Sequence, residues 1–297
     1  MMSFEFGWNH GNFSTPRVLL TIGLVLSLFF LGNLILILAY PKALGAPTME
    51  DLVAYFGNEK LFILEMLPFL LGLIGFFIAI KWIHKSDWKH WVTARAQVDV
   101  KRVVIAFFSW SLLIVIPTLI ELLIYPDRYT WNFKAGPFFL TFLFLLVFLP
   151  FQVLFEELMF RSFIFQGLTK RTNSVWFAVG MSGIMFGLMH LGNPEVLAHG
   201  YWLLWIYITL GVALGFFTMM NQGLEVAFGF HLANNLITGL LVTSSDQAFQ
   251  TNALLKMESL HVDIGSFLWL FVSLVVFYLF MARQFSWSPW REKANNE

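Results

Sequence analysis

The chain has no cysteine, and only 18 basic and 18 acidic residues among its 297. Without cysteine there are no disulfides, no thiolate metal sites and no thiol nucleophiles. Zero net charge removes the basic footprint that a nucleic-acid-binding protein needs, so nucleic acid is not an expected partner. Charged residues make up 12% of the chain, about half the share of an ordinary soluble domain. What fills the space is apolar: 58% hydrophobic residues, 35 phenylalanines and a mean hydropathy of +0.73. A soluble chain of 34.3 kDa has too little interior to hide that much apolar surface. The composition specifies an all-α, polytopic membrane protein in contact with the lipid bilayer.

A bilayer core takes roughly 20 apolar residues per helix. Runs with little or no charge occur at about 18–40, 61–80, 103–124, 137–168, 174–191, 201–220, 224–243 and 266–282, which predicts eight spans in a single membrane domain over 1–297. The first run, Val18 to Tyr40, is too long for a signal-peptide core and lacks a small-residue cleavage site, so it reads as a retained span. In 41–60, Thr48-Met49-Glu50-Asp51 is expected to cap a short helix through Leu52–Phe56. In 244–265, the spacing of Phe249, Leu254, Met257 and Leu260 suggests a partly amphipathic interfacial segment.

Basic residues set the expected orientation. Twelve lie in the N-terminal segment, 81–102, 169–173 and the C-terminal tail (the tail and loop residues include Lys81, Arg95, Arg102, Lys170, Arg171, Arg291 and Lys293). Five lie on the other side: Lys42, Lys60, Arg128, Lys134 and Lys256. Both termini are therefore expected in the cytoplasm, in a membrane of the bacterial inner-membrane kind. Trp82, Trp88 and Trp91 interleave with the basic residues of 81–102 as an interfacial belt would.

Ionisable side chains inside spans are costly and mark cavities or each other. Glu65, Glu121 and Glu225 lie near predicted span ends, where contact with water explains them. The deep ones are Glu156, Glu157, Arg161, His190 and His231, with Asn234 and Asn235 beside the last. Glu157 and Arg161 are i,i+4 neighbours and can pair, while Glu156 points about 100° away and is left for chemistry. Glu156 and His190 lie about 21 and 26 Å from the turn at 169–173, so an antiparallel hairpin brings them to similar depth. His231 and Asn235 share one face of the seventh span. A carboxylate, two imidazoles and a carboxamide on three helices, the fourth, fifth and seventh, suffice for hydrolysis by an activated water. The carboxylate serves as general base, and His and Asn donors serve a developing oxyanion.

These residues spell Glu156-Glu157-Leu158-Met159-Phe160-Arg161, Phe186-Gly187-Leu188-Met189-His190 and His231-Leu232-Ala233-Asn234-Asn235. In that order they resemble the EExxxR, FxxxH and HxxxN pattern of the CPBP family of intramembrane proteases, the Abi or CAAX-protease group that includes Rce1-like endopeptidases. The motif-bearing core is about 137–243. The resemblance implies an endopeptidase in which Glu156 and His190 activate water, His231 and Asn235 bind the oxyanion, and Glu157 with Arg161 support the helix. It implies a peptide or protein substrate, membrane-anchored or not, and does not require a prenyl group.

Three alternatives stay open. Glu156, His190 and His231 have the ligand types of catalytic zinc, although no HExxH helix is present and the expected cofactor is none. Gly180-Met181-Ser182-Gly183 spells a rhomboid-like GxSG, although Gly180, Gly183 and Gly187 also form a small-residue packing face. A non-catalytic transporter, immunity or scaffold protein is the third. For the protease reading, the depths of Glu156, His190 and His231 predict a projecting 169–173 hairpin. They also predict a cavity about 10–12 Å below the cytoplasmic surface, entered from that side or from the inner leaflet.

Overall fold

Eight apolar helices stand where the eight runs predict them, and the computed structural model describes residues 7–41, 45 and 47–287. They are α1 (Thr15–Ala39), α3 (Asn58–Ile78), α5 (Val100–Ile124), α6 (Ala135–Glu157), α8 (Val175–Leu188), α10 (Leu204–Asn221), α11 (Glu225–Leu241) and α12 (Ile264–Gln284). Short helices intervene: α2 (Met49–Phe56), α4 (Lys89–Val92), α7 (Phe165–Thr172) and α9 (Pro194–His199). Six of the described helical segments are long and apolar enough to cross a membrane. The other two apolar helices, α8 and α11, have only 14 and 17 residues, so the expected count of eight full spans is not met by length. The longest segment is continuous from Ala135 to Thr172, because the π-helical turns Leu158–Ile164 join α6 to α7 without a break.

Helix pairs approach closely where glycine removes a side chain, the usual device where lipid offers no hydrophobic drive to association. A Cβ on Gly32 of α1 would lie 2.5 Å from the Pro68 backbone of α3, and one on Gly229 of α11 would lie 2.3 Å from the Val103 carbonyl oxygen of α5. Gly183 and Gly187 of α8 pack likewise against Val212 and Ile208 of α10, whereas Gly180 meets open space and takes no part.

The connections sort to two ends. One carries residues 7–14, 84–99, 173–174 and 222–224 together with the start of α1 and the end of α12. Ten of its basic residues lie among the described residues, against four at the opposite end; Lys42, Arg291 and Lys293 lie outside them. Here Trp91 is fully buried and stacks on Phe163 at 6.2 Å, so it belongs to the core, while Trp82 and Trp88 remain exposed as a belt requires. His84 is also buried, bridging Thr21 Oγ1 (2.8 Å) and the Asn12 carbonyl (2.9 Å).

The other end holds 40–41, 47–57, 125–134, 189–203 and 242–263. The Thr48 cap forms as expected, with Thr48 Oγ1 accepting from the Asp51 amide and Asp51 accepting from the Thr48 amide. The 244–265 segment, expected to be partly amphipathic, forms no helix before Ile264. It runs irregularly through a short strand β3 (Leu255–Lys256), antiparallel to β1 (Thr130–Trp131) and parallel to β2 (Val242–Thr243). Ser244, Asp246, Thr251 and Asn252 hydrogen-bond backbone or distant side chains there, which offers the chain an alternative to helix.

Candidate active site

The centre of the bundle is a polar cluster on α6, the following π-helical turns and α11. Glu157 and Arg161 pair at 3.1 Å with both side chains fully buried, so the i,i+4 expectation holds across the change from α- to π-helix. Arg161 also lies over the Phe186 ring at 4.4 Å and donates to the Gly211 carbonyl. Glu157 accepts a second contact that the sequence did not indicate, a 2.8 Å hydrogen bond from His231 Nδ1. The other nitrogen of that ring, Nε2, faces Glu156 Oε2 at 3.5 Å.

Glu156 is the less satisfied of the two carboxylates. Its Oε1 accepts a 2.6 Å hydrogen bond from Gln152, one turn earlier on α6, while its buried Oε2 has no hydrogen bond. Gln152 in turn accepts from Asn235 Nδ2 at 3.0 Å, Asn235 accepts from Asn234 Nδ2, and Asn234 accepts from Trp110 Nε1 on α5. Four donors in series therefore end on the free-facing carboxylate, and α5 and α11 fix its rotamer through α6.

His190 sits just past the end of α8. Its Nδ1 donates to the Phe186 carbonyl at 2.9 Å, which leaves Nε2 as a lone-pair acceptor. The ring stacks on Tyr207 at 4.0 Å, and the Tyr207 hydroxyl donates to Glu195. Phe186 touches both imidazoles, 4.9 Å from His190 and 5.8 Å from His231, so the motif phenylalanine spaces the two histidines.

Glu156, His190, His231, Asn234 and Asn235 all line one cavity of about 530 Å³; Glu157 and Arg161 do not line it. The geometry joins Glu156 to His231, with His190 on the same cavity wall and no hydrogen bond to Glu156. The cavity lies between the fourth, fifth and seventh apolar helices as expected, and α1, α3 and α10 add walls through Phe29, Glu65 and Tyr207.

Its direction differs from the sequence expectation. The lining runs from Glu156 to Asn193, Glu195, Gln247 and Phe249, the end away from the basic loops. The basic end is filled instead by Trp8, Phe13, Trp91 and Phe163 and by the Arg95–Glu225 pair. Helix α8 ends at Leu188, too short to cross, and the space beyond it becomes cavity.

Ser182 is buried, donates to the Val179 carbonyl and does not line the cavity, so the GxSG sequence serves the α8–α10 contact. Among the described residues no group of three His, Cys, Asp or Glu is arranged to hold a metal ion.

Gln152, Phe186 and Tyr207 carry roles that the motif reading did not assign. Gln152 was discoverable: it is a lone amide in the apolar run before Glu156 and lies one helical turn from it. Tyr207 gave no such signal, since a tyrosine in an apolar helix is ordinary.

Residues 137–237 match the family described as type II CAAX prenyl endopeptidase Rce1-like. The chain is 28% identical over 182 residues to the uncharacterized protein YyaK of Bacillus subtilis strain 168, an overlap covering 61% of each chain. It thus matches about three fifths of the length of that curated relative. No solved structure matches it significantly. With its long apolar helices the chain is an integral membrane protein, and residues 137–237, over the helices that enclose the cavity, are similar to the Rce1-like, CAAX-protease-type domain of the CPBP family.

Proposed function

We propose that the chain is a membrane-embedded endopeptidase that hydrolyses peptide bonds with water activated by Glu156. The observation that carries this reading is a buried carboxylate oxygen, Glu156 Oε2, that has no hydrogen bond, on a residue that lines a cavity of about 530 Å³. Glu157 Oε2 also lacks a hydrogen bond, but Glu157 is paired with Arg161 and sealed from the cavity, whereas Glu156 is held by Gln152 through one oxygen and offers the other to the cavity.

Water hydrogen-bonded to Glu156 Oε2 gives up a proton to it as the hydroxide attacks the scissile carbonyl carbon. His190 Nε2, with its lone pair free, accepts the water's other hydrogen and orients it. The carbonyl oxygen becomes negative and takes donors from His231 Nε2–H and the second Asn235 N–H. His231 can carry that proton because Glu157 accepts from its Nδ1 and stabilises the imidazolium. The tetrahedral carbon then expels the amine as the C–N bond breaks, and the proton held by Glu156 passes to that nitrogen. The basic end of the bundle is taken as cytoplasmic, and the substrate is a peptide or protein reaching the cavity from the end formed by 189–203 and 242–263.

Glu156→Gln keeps the shape and the Gln152 contact but removes the base. Its expected result is a loss of about 10²- to 10⁴-fold in kcat/KM on a peptide library in detergent, with the thermal midpoint at the wild-type value. Full activity in that variant would overturn the assignment.

A further inference from the structure

Glu65 lies two turns inside α3, deeper than its place in the sequence suggested, and lines the same cavity. It has no hydrogen-bond or ion-pair partner among the described residues. Apolar residues (Pro68, Phe69, Leu145 and Leu149) line the cavity with it, and Asn33, also in the lining, commits its amide nitrogen to the Phe29 carbonyl. The other glutamates that line the cavity are engaged: Glu195 by Tyr207, Asn193 and the Ala248 amide, Glu156 by Gln152. Among the described residues no lysine or arginine lines the cavity.

A carboxylate in an apolar wall without a counter-charge is costly, and inside a membrane protein such a group marks the path or seat of a ligand. The missing charge is positive, and no described residue of the cavity wall supplies it. We infer that Glu65 is a specificity subsite for a cationic side chain, lysine or arginine, of the peptide substrate; this rests on the proteolytic reading above.

The register of α3 against α6 fixes how far that side chain lies from the cleaved bond. Asn252 Nδ2 donates to both Glu59 of α3 and Thr141 of α6, and a Cβ on Gly72 would lie 2.4 Å from the Phe155 ring, so the two helices run the same way in step. Glu65 is seven residues before Gly72 and Glu156 is one after Phe155, an axial separation of about 12 Å. An extended peptide covers that distance in three or four residues. The basic residue therefore falls within about four positions of the scissile bond.

The test uses the full chain in detergent with quenched fluorescent peptides carrying lysine, norleucine or glutamate at each of the four positions on either side of the cleaved bond. At one position the wild type should cleave the lysine peptide about tenfold more efficiently than the norleucine peptide, with the difference in KM. E65Q should bring that ratio to about one, and E65K should turn the preference toward glutamate. No lysine preference in an active wild type, or a preference that E65Q leaves intact, overturns the subsite. If no peptide is cleaved, the proteolytic reading fails instead, and binding of the same peptides by anisotropy, wild type against E65Q, decides the subsite alone. A lysine preference lost in E65Q supports it, and equal binding of lysine and norleucine peptides overturns it.

Discussion

Two buried glutamates at different levels of the bundle make opposite uses of the same chemistry. Near the basic end, Glu225 takes Arg95 on both oxygens (3.2 and 3.1 Å), Asn221 Nδ2 at 2.9 Å and the Asp99 amide at 3.4 Å. A Cβ on Gly223 would lie 2.1 Å from its Oε2, so no space is left beside it. Glu156 has one bond on one oxygen, none on the other, and a cavity in front. Glu225 is saturated and walled in, as suits a structural role; Glu156 is held from behind and open ahead, as suits chemistry. Arg161 and Glu157 stand within about a turn of Glu156, yet they are paired with each other and sealed from the cavity.

The comparison breaks most visibly at Arg161. Its removal strands Glu157 as a buried unpaired charge, which costs about 3–5 kcal/mol, so Arg161→Ala should lower the thermal midpoint and membrane yield as well as activity. Arg95→Ala should cost less, because a quarter of the Arg95 side chain is already exposed and water can take its place beside Glu225. Thermal unfolding of the two variants side by side checks the order. An Arg161 variant that is inactive yet as stable as wild type would move that residue among the reacting groups.

Gln152 sharpens the difference from the other direction, because it acts on chemistry through Glu156. Gln152→Leu removes a hydrogen bond to a charged group, and kcat should fall about 10- to 100-fold with the midpoint little changed. Combined with Glu156→Gln it should lower kcat no further, since both changes disable the same base. A further tenfold loss in the double variant would give Gln152 a role of its own.

Much of this site is legible in the chain. Charged and amide residues stand out in apolar runs, and the i,i+4 rule pairs Glu157 with Arg161 without any structure. What was not legible depends on length and distance. The reach of His231 back to Glu157, 74 residues away, has no local signature. The cavity's direction follows from α8 ending at Leu188, whereas the apolar run continues to Leu191, so hydropathy reads a span where the helix has already turned. The 244–265 segment shows apolar spacing, but Asp246 and its neighbours spend their side chains on cross-links that a helix would forbid.

Those cross-links give a smaller, pH-dependent prediction. Burial pushes the Asp246 carboxyl up, but hydrogen bonds from Ser244, His199, the Leu260 amide and Ser259 outweigh it and hold it at about 2. The native group thus binds its proton less readily than the unfolded one. Its contribution is fully present above about pH 4 and is lost as pH falls toward 2. Gln247, Ala248 and Phe249, next along the chain, line the cavity, so this anchor steadies one of its walls. Asp246→Asn should speed proteolytic nicking of 244–260 at neutral pH, and the difference from wild type should close near pH 2, read with an acid-active protease. An equal difference at both pH values would show that the charge is not what holds the segment.

The least effect is expected at Ser182, and its smallness separates two mechanisms. The hydroxyl is buried against α10, 3.6 Å from where a Cβ on Gly215 would stand, and donates only to the Val179 carbonyl three residues back. Alanine keeps the small-residue contact and removes a bond that the α-helical carbonyl does not need. Ser182→Ala should therefore leave kcat/KM within about twofold and stability within about 0.5 kcal/mol of wild type. A serine nucleophile would behave otherwise. It would need a base within hydrogen-bond reach and an open face for the substrate carbonyl, and it would lose about 10³-fold or more on losing its oxygen. Fluorophosphonate labelling of the wild type provides the second readout. Covalent labelling at Ser182, or loss of activity in a folded alanine variant, would transfer the chemistry from the glutamate-centred cavity to α8.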